Sequence, residues 1–525
     1  MKARITLVAV LWLCCAAAPG LAQTIYHTVP DWVSADTQVS TGAALVDLNR
    51  DGWLDLVVSN GNDMQRQHVV VYYNRGDGTF PPNPDWQSAD IGYHGHLDVA
   101  DVNADGWPDV AVAMLLNEGG PAAKLYLNNN GTLSSLPDWT SAEAARAFGV
   151  AFGDMNNDGR PDLAVATGWP YDPGFNTPNT VHLNIGGQLE VAPSWQSSDT
   201  YHLMGVLWVD ADDDGWLDLI GVGTQTYTWL YHNNNGVLST TAGWHTTDNV
   251  NQYAIMATAG DVTGDGRRDL FVTDNTQLYN GHGYFRQYTG QATGYFTTSW
   301  TWGYYDGYGS AVALADVNAD GKLDLATGAW WDYTRVFLNT GTGFLSSPHW
   351  NSGGTSVVEK IVFGDIDKNG LRPITETFPA ADSRRLFYLA HQPIQEITAV
   401  RCDGVPLGLT QYAFGREHGW VTVSTTPATA VEVDYTYSSK LDMAVVNWDD
   451  TVGNFVYYNQ LAVMGDANCD GRLDLQDVPL FVLLLVDRPA YDAEYPDCDA
   501  GRFCDLNGDG ALDGDDIQLF VDLLL

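Results

Sequence analysis

Asp47-Leu48-Asn49-Arg50-Asp51-Gly52-Trp53-Leu54-Asp55-Leu56 opens a pattern that returns at Asp101, Asp154, Asp210, Asp261 and Asp316, at intervals of 51 to 56 residues. Around each copy the same order of elements recurs. An apolar run enters the loop, as in Phe148-Gly149-Val150-Ala151-Phe152, and another leaves it, as in Leu163-Ala164-Val165-Ala166. An alternating stretch ending in Asn follows, such as Leu125-Tyr126-Leu127-Asn128, and a Trp segment closes the unit at Trp86, Trp139, Trp195, Trp244, Trp300 and Trp350. No helical period runs through these units, so each reads as four short strands, A to D. Four-stranded repeats of about 50 residues predict the blades of a β-propeller rather than a helical solenoid.

A seventh unit begins at Asp365-Ile366-Asp367-Lys368-Asn369-Gly370 and breaks off. Its continuation stands at Lys440-Leu441-Asp442-Met443-Ala444-Val445, which matches Lys322-Leu323-Asp324-Leu325-Ala326-Thr327 of the sixth unit. Residues 371–439 therefore read as a small inserted β domain, with strands expected over Glu396–Val400, Trp420–Ser424 and Val431–Tyr437. Loop tips accept insertions of this kind. The seventh unit also lacks a Trp segment, whereas an unpaired one, Pro30-Asp31-Trp32-Val33-Ser34-Ala35-Asp36, lies near the N-terminus. Supplying it as the last strand D closes a seven-bladed ring over residues 23–463 and leaves no open sheet edge.

The repeated loops carry oxygen at positions 1, 3, 5 and 9 and, as a rule, Gly at 6. These are Asp47, Asn49, Asp51 and Asp55; Asp101, Asn103, Asp105 and Asp109; Asp154, Asn156, Asp158 and Asp162; Asp210, Asp212, Asp214 and Asp218; Asp261, Thr263, Asp265 and Asp269; and Asp316, Asn318, Asp320 and Asp324. The seventh set is Asp365, Asp367, Asn369 and Asp442, split by the insert. Ca2+ takes six to eight oxygens, which four such side chains supply with a backbone carbonyl and water. A lone Asp-Asn-Gly stretch is only a hairpin turn; seven copies with fixed spacing point to calcium. Thr263 makes the fifth loop the weakest.

The units resemble the FG-GAP or VCBS repeats of secreted propellers, which are related to the blades of integrin α-subunits. The resemblance implies structural Ca2+ at the A–B turns, up to about seven ions, and a role in adhesion or ligand recognition. The tail over residues 464–525 differs in kind. Asp466, Asn468, Asp470, Arg472, Asp474 and Asp477 occupy positions 1, 3, 5, 7, 9 and 12 of an EF-hand-like loop, and Asp505, Asn507, Asp509, Ala511, Asp513 and Asp516 repeat it, each before a helical apolar pattern. This pair resembles a type I dockerin. That implies two more Ca2+ ions, a cohesin-like module or cell-surface scaffold as partner, and a possible Cys469–Cys498 disulfide. Spacing alone leaves all three pairings of Cys402, Cys469, Cys498 and Cys504 open.

Bulk composition fits this reading. With 65 Asp and Glu against 24 Lys and Arg, the formal charge is -41, which disfavours nucleic acid and anionic membranes as partners. Nearly half of those acids sit at the ligand positions named above. Lys2 and Arg4 before an apolar run to Ala18, with Gly20-Leu21-Ala22, read as a signal peptide over residues 1–22. A secreted or cell-surface location follows, and no later stretch is long and apolar enough to span a membrane.

In an up-and-down blade the B–C and D–A connections share the face opposite the calcium loops. Trp169, Tyr171, Trp330, Trp331, Tyr333 and Trp448 fall in B–C connections and are candidates to stack on sugar rings or receive a protein loop. The bland alternative is packing between blades. Arg75-Gly76-Asp77 reads as a turn, and His94-Gly95-His96 as strand residues. No nucleophile elbow, zinc signature or phosphate loop is present, so a binding module is expected rather than an enzyme. A polysaccharide lyase or glycoside hydrolase carrying a dockerin is the alternative, separable by activity on a polysaccharide panel.

Overall fold

The computed structural model describes residues 24–116, 120–168, 177–248, 252–276, 283–305, 307–341, 343–381, 383–461, 464–468, 473–495, 503–507 and 511–524. The segment 1–22 read as a signal lies outside them. Seven innermost strands, Ser40–Val46, His94–Ala100, Ala147–Gly153, Leu203–Val209, Ala257–Gly260, Tyr308–Ala315 and Ser356–Gly364, each start one antiparallel four-stranded blade. Each innermost strand touches the next, and the seventh returns to the first, so the ring is closed. Glycines make the close approach possible: a Cβ on Gly149 would lie 2.6 Å from the Met204 carbonyl oxygen, and one on Gly205 2.5 Å from that of Ile255.

Closure by the N-terminal segment is as the sequence predicts. Trp32 and Val33 pair with Val456 and Phe455 of the last blade. The closing Trp of each blade then packs edge-on against an aromatic ring of the next: Trp32 on Tyr72, Trp86 on Tyr126, Trp139 on His182, Trp195 on Tyr231, Trp244 on Tyr288, Trp302 on Phe337 and Trp350 on Tyr457, with centroids 5.1–6.5 Å apart. Such pairs contribute about 0.5–1.5 kcal/mol each beyond area burial. In the fifth blade this place belongs to Trp302, which pairs with Gln287, and not to Trp300, which is exposed. The two tryptophans are two residues apart, so alternation alone cannot rank them; the register does.

A second ring of contacts is polar. Asn128 Nδ2 donates to the Leu48 carbonyl of the preceding blade at 2.8 Å, and Asn74, Asn184, Asn233, Asn339 and Asn459 repeat the bond to Ile366, Val102, Met155, Val262 and Val317. Gly290 stands at this position in the fifth blade. These Asn residues follow strand C, the feature legible in the sequence as Leu-Asn or Tyr-Asn before a turn, with His232-Asn233 in the fourth blade.

The insert is a two-sheet β domain. Leu371–Pro379 and Ala430–Ser438 pair along their whole lengths, with Glu396–Cys402 and Val405–Pro406 completing one sheet. Leu386–Tyr388, Trp420–Val423 and Tyr412–Gly415 form the other. Because its two ends leave side by side, Ser439 N still donates to Gly370 O at 2.9 Å and the interrupted loop is rejoined. The domain lies across the face bearing the A–B loops. Leu386, Ala413 and Trp420 share one buried cluster with Met155, Trp208 and Leu217 of blades 3 and 4. Its Phe414–Trp420 hairpin caps the central channel, leaving a cavity of about 120 Å³ inside the ring.

In the tail, helices Asp477–Val486, Arg488–Glu494 and Asp516–Leu524 pack around Phe481 stacked on Phe520 at 3.9 Å. No described helix is long and apolar enough to cross a membrane.

Replacing Asn233 by Ala removes donors to Met155 and Leu217 at 2.7 and 2.9 Å and the acceptor for Gly236 N. A loss of about 2–4 kcal/mol in urea unfolding is expected, since buried carbonyls are left unpaired. A change below about 0.5 kcal/mol would show that the blade interfaces do not depend on this bond.

Candidate functional site: seven acidic loops beneath an inserted domain

All seven loops share one backbone shape. The residue at position 4 adopts positive φ in each: Arg50, Ala104, Asn157, Asp213, Gly264, Ala319 and Lys368, between 52° and 72°. At position 6 Gly52 has φ 88°, a conformation that disfavours any Cβ. In the first loop Asp47 accepts from Asp51 N at 3.1 Å and Gly52 N at 2.8 Å, Asn49 from Asp51 N at 2.9 Å, and Asp51 from Trp53 N at 2.8 Å. The amides thus draw the side-chain oxygens of positions 1, 3 and 5 toward one point. Loops beginning at Asp101, Asp154, Asp210, Asp261 and Asp316 repeat the bonds to position 1.

Position 9 works differently. Asp55 is fully buried and accepts from Leu48 N at 3.1 Å and Asn74 N at 2.9 Å, so it joins the A–B loop to the C–D turn. Asp109, Asp162, Asp218, Asp269, Asp324 and Asp442 each make the equivalent pair of bonds. Burial pushes Asp55 and Asp109 up to about 7 and Asp324 to about 8, against the pull of those amides. A carboxylate in that environment gains from a nearby cation.

The seventh loop is complete despite the insert. Oxygens of Asp365, Asp367 and Asp442 lie within 4.8 Å of one another, and Gly370 N and Ser438 Oγ both donate to Asp365. The fourth loop gathers Asp210, Asp212 and Asp214 in the same way. Buried Asp212 Oδ1, Thr263 Oγ1 and Asn369 Oδ1 have no hydrogen-bond partner; each belongs to a loop position assigned to an ion. The donor set is therefore oxygen-rich, convergent and partly unsatisfied, which fits a hard divalent cation.

Three participants were not legible in the repeat. His232 Nδ1 stands 3.1 Å from Asp218 and 3.6 Å from Asp212, at a place where other blades carry Tyr, Leu or Thr. Ser438 and Thr422 come from the insert; Thr422 Oγ1 donates to Asp154 Oδ2 at 2.6 Å. Only His232 left a sequence signal, as a departure from the blade consensus.

On the opposite face the candidate aromatics separate. Trp330 is buried, 5% exposed, with Nε1 donating to Glu359 at 2.7 Å and its ring 4.6 Å from that of half-buried Trp448. It joins Phe148, Met204 and Ile255 in sealing that end of the channel, so it is an interior residue and not a stacking surface. Trp331 and Tyr333 are exposed, at 58% and 39%. Trp169 and Tyr171 lie outside the described residues. His94 and His96 are buried strand residues, and Arg75-Gly76-Asp77 forms a turn in which Arg75 pairs with Asp85.

In the tail, Asp477 accepts from Ala467 N, Asn468 N and Asp474 N, and Asp516 from Leu506 N, Asn507 N and Asp513 N. The two loop–helix units are thus copies in their bonding as well as in sequence. Asp470, Arg472, Asp509, Cys469 and Cys498 lie outside the described residues; Cys402 and Cys504 are unpaired and buried.

Comparison with known proteins gives the class. A model of FG-GAP-like repeats matches residues 47–112, 101–165, 210–272, 261–327 and 316–372, more than half of the sequence. The chain belongs to the FG-GAP-like repeat family, and its fold is that family's β-propeller. Among curated proteins it is similar to integrin alpha-7 of Homo sapiens, 38% identical over 90 residues covering 15% of this chain and 8% of that one. Integrin alpha-6 of Gallus gallus is 37% identical over 98 residues, covering 17% and 9%. The chain thus spans under a tenth of the length of these two relatives. Two solved structures share more remote likeness. An Agrocybe aegerita lectin that recognises non-reducing terminal N-acetylglucosamine is 19% identical, covers 59% of this chain and 79% of its own, and has a TM-score of 0.39. BBS1N, solved with ARL6DN, is 15% identical, covers 65% and 89%, and has a TM-score of 0.41.

Glu359 gives a pH test of the sealed channel end. Burial pushes its carboxyl up to about 8, with the Trp330 bond opposing. The stability it contributes is fully present below the ordinary Glu range and is lost as pH rises through about 8. Glu359→Gln keeps an acceptor for Trp330, so between pH 7 and 9 wild type should lose about 1 kcal/mol more than the variant. Urea unfolding measures this, and parallel profiles would place the carboxyl in contact with water.

Proposed function

We propose that this protein is a secreted, calcium-loaded β-propeller that acts as a binding or adhesion module rather than as an enzyme. The observation that carries this reading is the sevenfold loop geometry, with Asp212, Thr263 and Asn369 each leaving a buried oxygen unsatisfied. In the bound state Ca2+ would supply charge neutralisation and fix the A–B turns. Asp47, Asn49, Asp51 and Asp55 hold it in the first loop, and their equivalents do so in the others. The loop carboxylates accept backbone amides of their own loops, so the ion's task is to stiffen the scaffold.

The exposed face supplies the recognition surface. Tyr308 packs edge-on against exposed Trp331 at 5.7 Å, and Tyr333 lies beneath the Arg335 guanidinium at 5.4 Å. Aromatic faces beside Asp332 and Arg335 suit a glycan or a protein loop. The duplicated tail supports attachment to a cohesin-like module or cell-surface scaffold, through two further calcium loops.

Metal analysis of the purified mature protein should find calcium in several-fold molar excess over chain. Chelation should lower the melting temperature by roughly 10 °C or more, since each site filled at 100 times its dissociation constant adds about 2.7 kcal/mol. A metal-free protein with an unchanged transition would overturn the calcium reading.

On a glycan array, the Trp331→Ala, Tyr333→Ala double variant should lose at least tenfold in binding. Turnover of an arrayed polysaccharide by wild type would instead make the protein an enzyme.

A further inference from the structure

Between the insert and the loops of blades 1, 2 and 7 lies a chamber of about 380 Å³, larger than the channel cavity of about 120 Å³. Three of its lining side chains are cations: Arg50, Lys368 and Arg416. In a chain with 65 acids and 24 bases, most basic groups would be expected to find a carboxylate. These three have none. Arg50 lies over the Trp107 ring at 5.4 Å and Lys368 over Trp53 at 4.2 Å. Arg416 makes one long bond, 3.3 Å, to the Ile394 carbonyl, and burial pulls it down to about 10.

The acids of the wall form no ion pair with them, although Glu396 and Asp47 favour the Arg416 charge against the cost of burial. Asp47, Asp101 and Asp365 also line the chamber, but both oxygens of Asp47 and of Asp101 accept loop amides, and Asp365 takes Asn369 N, Gly370 N and Ser438. Their hydrogen bonds are thus made within the loops. Glu396, exposed at the rim, is the remaining carboxylate. Three cationic donors without an ion pair to any described residue therefore line the space, while Tyr412 and Phe414 offer flat apolar walls. A volume of this size matches the lower range of small-molecule sites.

We infer that this chamber binds a small hydroxylated carboxylate, a sugar acid of mono- to disaccharide size, with its carboxylate on Arg416 and its ring against Tyr412. A guanidinium pairs with a carboxylate through two parallel N–H bonds, and a sugar ring can lie on an aromatic face while its hydroxyls reach Lys368 and Arg50. Neither the repeat pattern nor the aromatic face on the far side enters this argument, so the site stands apart from the recognition surface proposed above.

Isothermal titration of the full-length mature protein in calcium-containing buffer tests the inference with glucuronate, galacturonate and digalacturonate, and with glucose and inorganic phosphate for comparison. A sugar acid should bind, glucose should not, and Arg416→Gln should weaken binding at least tenfold. Arg50→Gln, at an exposed position where it gives up only the contact with the Trp107 ring, should weaken it several-fold with a melting temperature changed by less than about 2 °C. Trp331→Ala should leave it unaltered, which separates failure here from failure of the aromatic-face reading. Absence of sugar-acid binding, equal binding of glucose, binding of phosphate alone, or full affinity in both arginine variants would each overturn the assignment.

Discussion

Seven buried aspartates hold this molecule in shape. Each position-9 carboxylate, Asp55 being the first, accepts one amide from its own A–B loop and one from the turn after strand C. In six of the seven blades the residue supplying that second amide is an Asn, whose side chain donates to the preceding blade. Loop, turn and neighbouring blade are thereby joined through three polar contacts that water cannot reach. Burial makes the arrangement costly for a charged group, as the upward displacement of Asp324 to about 8 records. The same environment that disfavours an isolated carboxylate favours one beside a cation, so the structural clamp and the proposed ion site would be one device.

That device also explains how a 69-residue domain can interrupt the seventh loop without destroying it. Asp442, carried beyond the insert, returns to accept Ile366 N and Asn459 N at 2.8 Å each. The insert leaves and re-enters through a nine-residue antiparallel ribbon, so the break in sequence is not a break in space. Having been placed there, the insert caps the channel and reaches the fourth blade, where Tyr388 Oη accepts from Asp210 N and Arg385 lies over Trp216, while Glu417 pairs with Lys360 of its own blade. An element that reads as a tolerated insertion becomes the roof of one whole face.

The two faces therefore differ in kind. The loop face is roofed and encloses the chamber around Arg416. The opposite face is sealed at its centre by Trp330 and its neighbours, leaving Trp331 and Tyr333 as the exposed part. Trp331 lies at an irregularity between Trp330 and Asp332, with φ 59°, and this bulge leaves Trp330 to the interior and Trp331 to the surface.

From the sequence alone came the number of blades, the splitting of the seventh loop, the N-terminal closure and the seven acidic loops, because each is a matter of spacing within a repeat. Local pattern could not choose between Trp300 and Trp302, or between Trp330 and Trp331, since side-chain direction depends on strand register. Nor could it bring Thr422 to Asp154, His232 to Asp218, or Arg416 into a chamber with Arg50 and Lys368. Those juxtapositions join residues from a few to several hundred positions apart. They exist only because the ring closes and the insert lies down upon it.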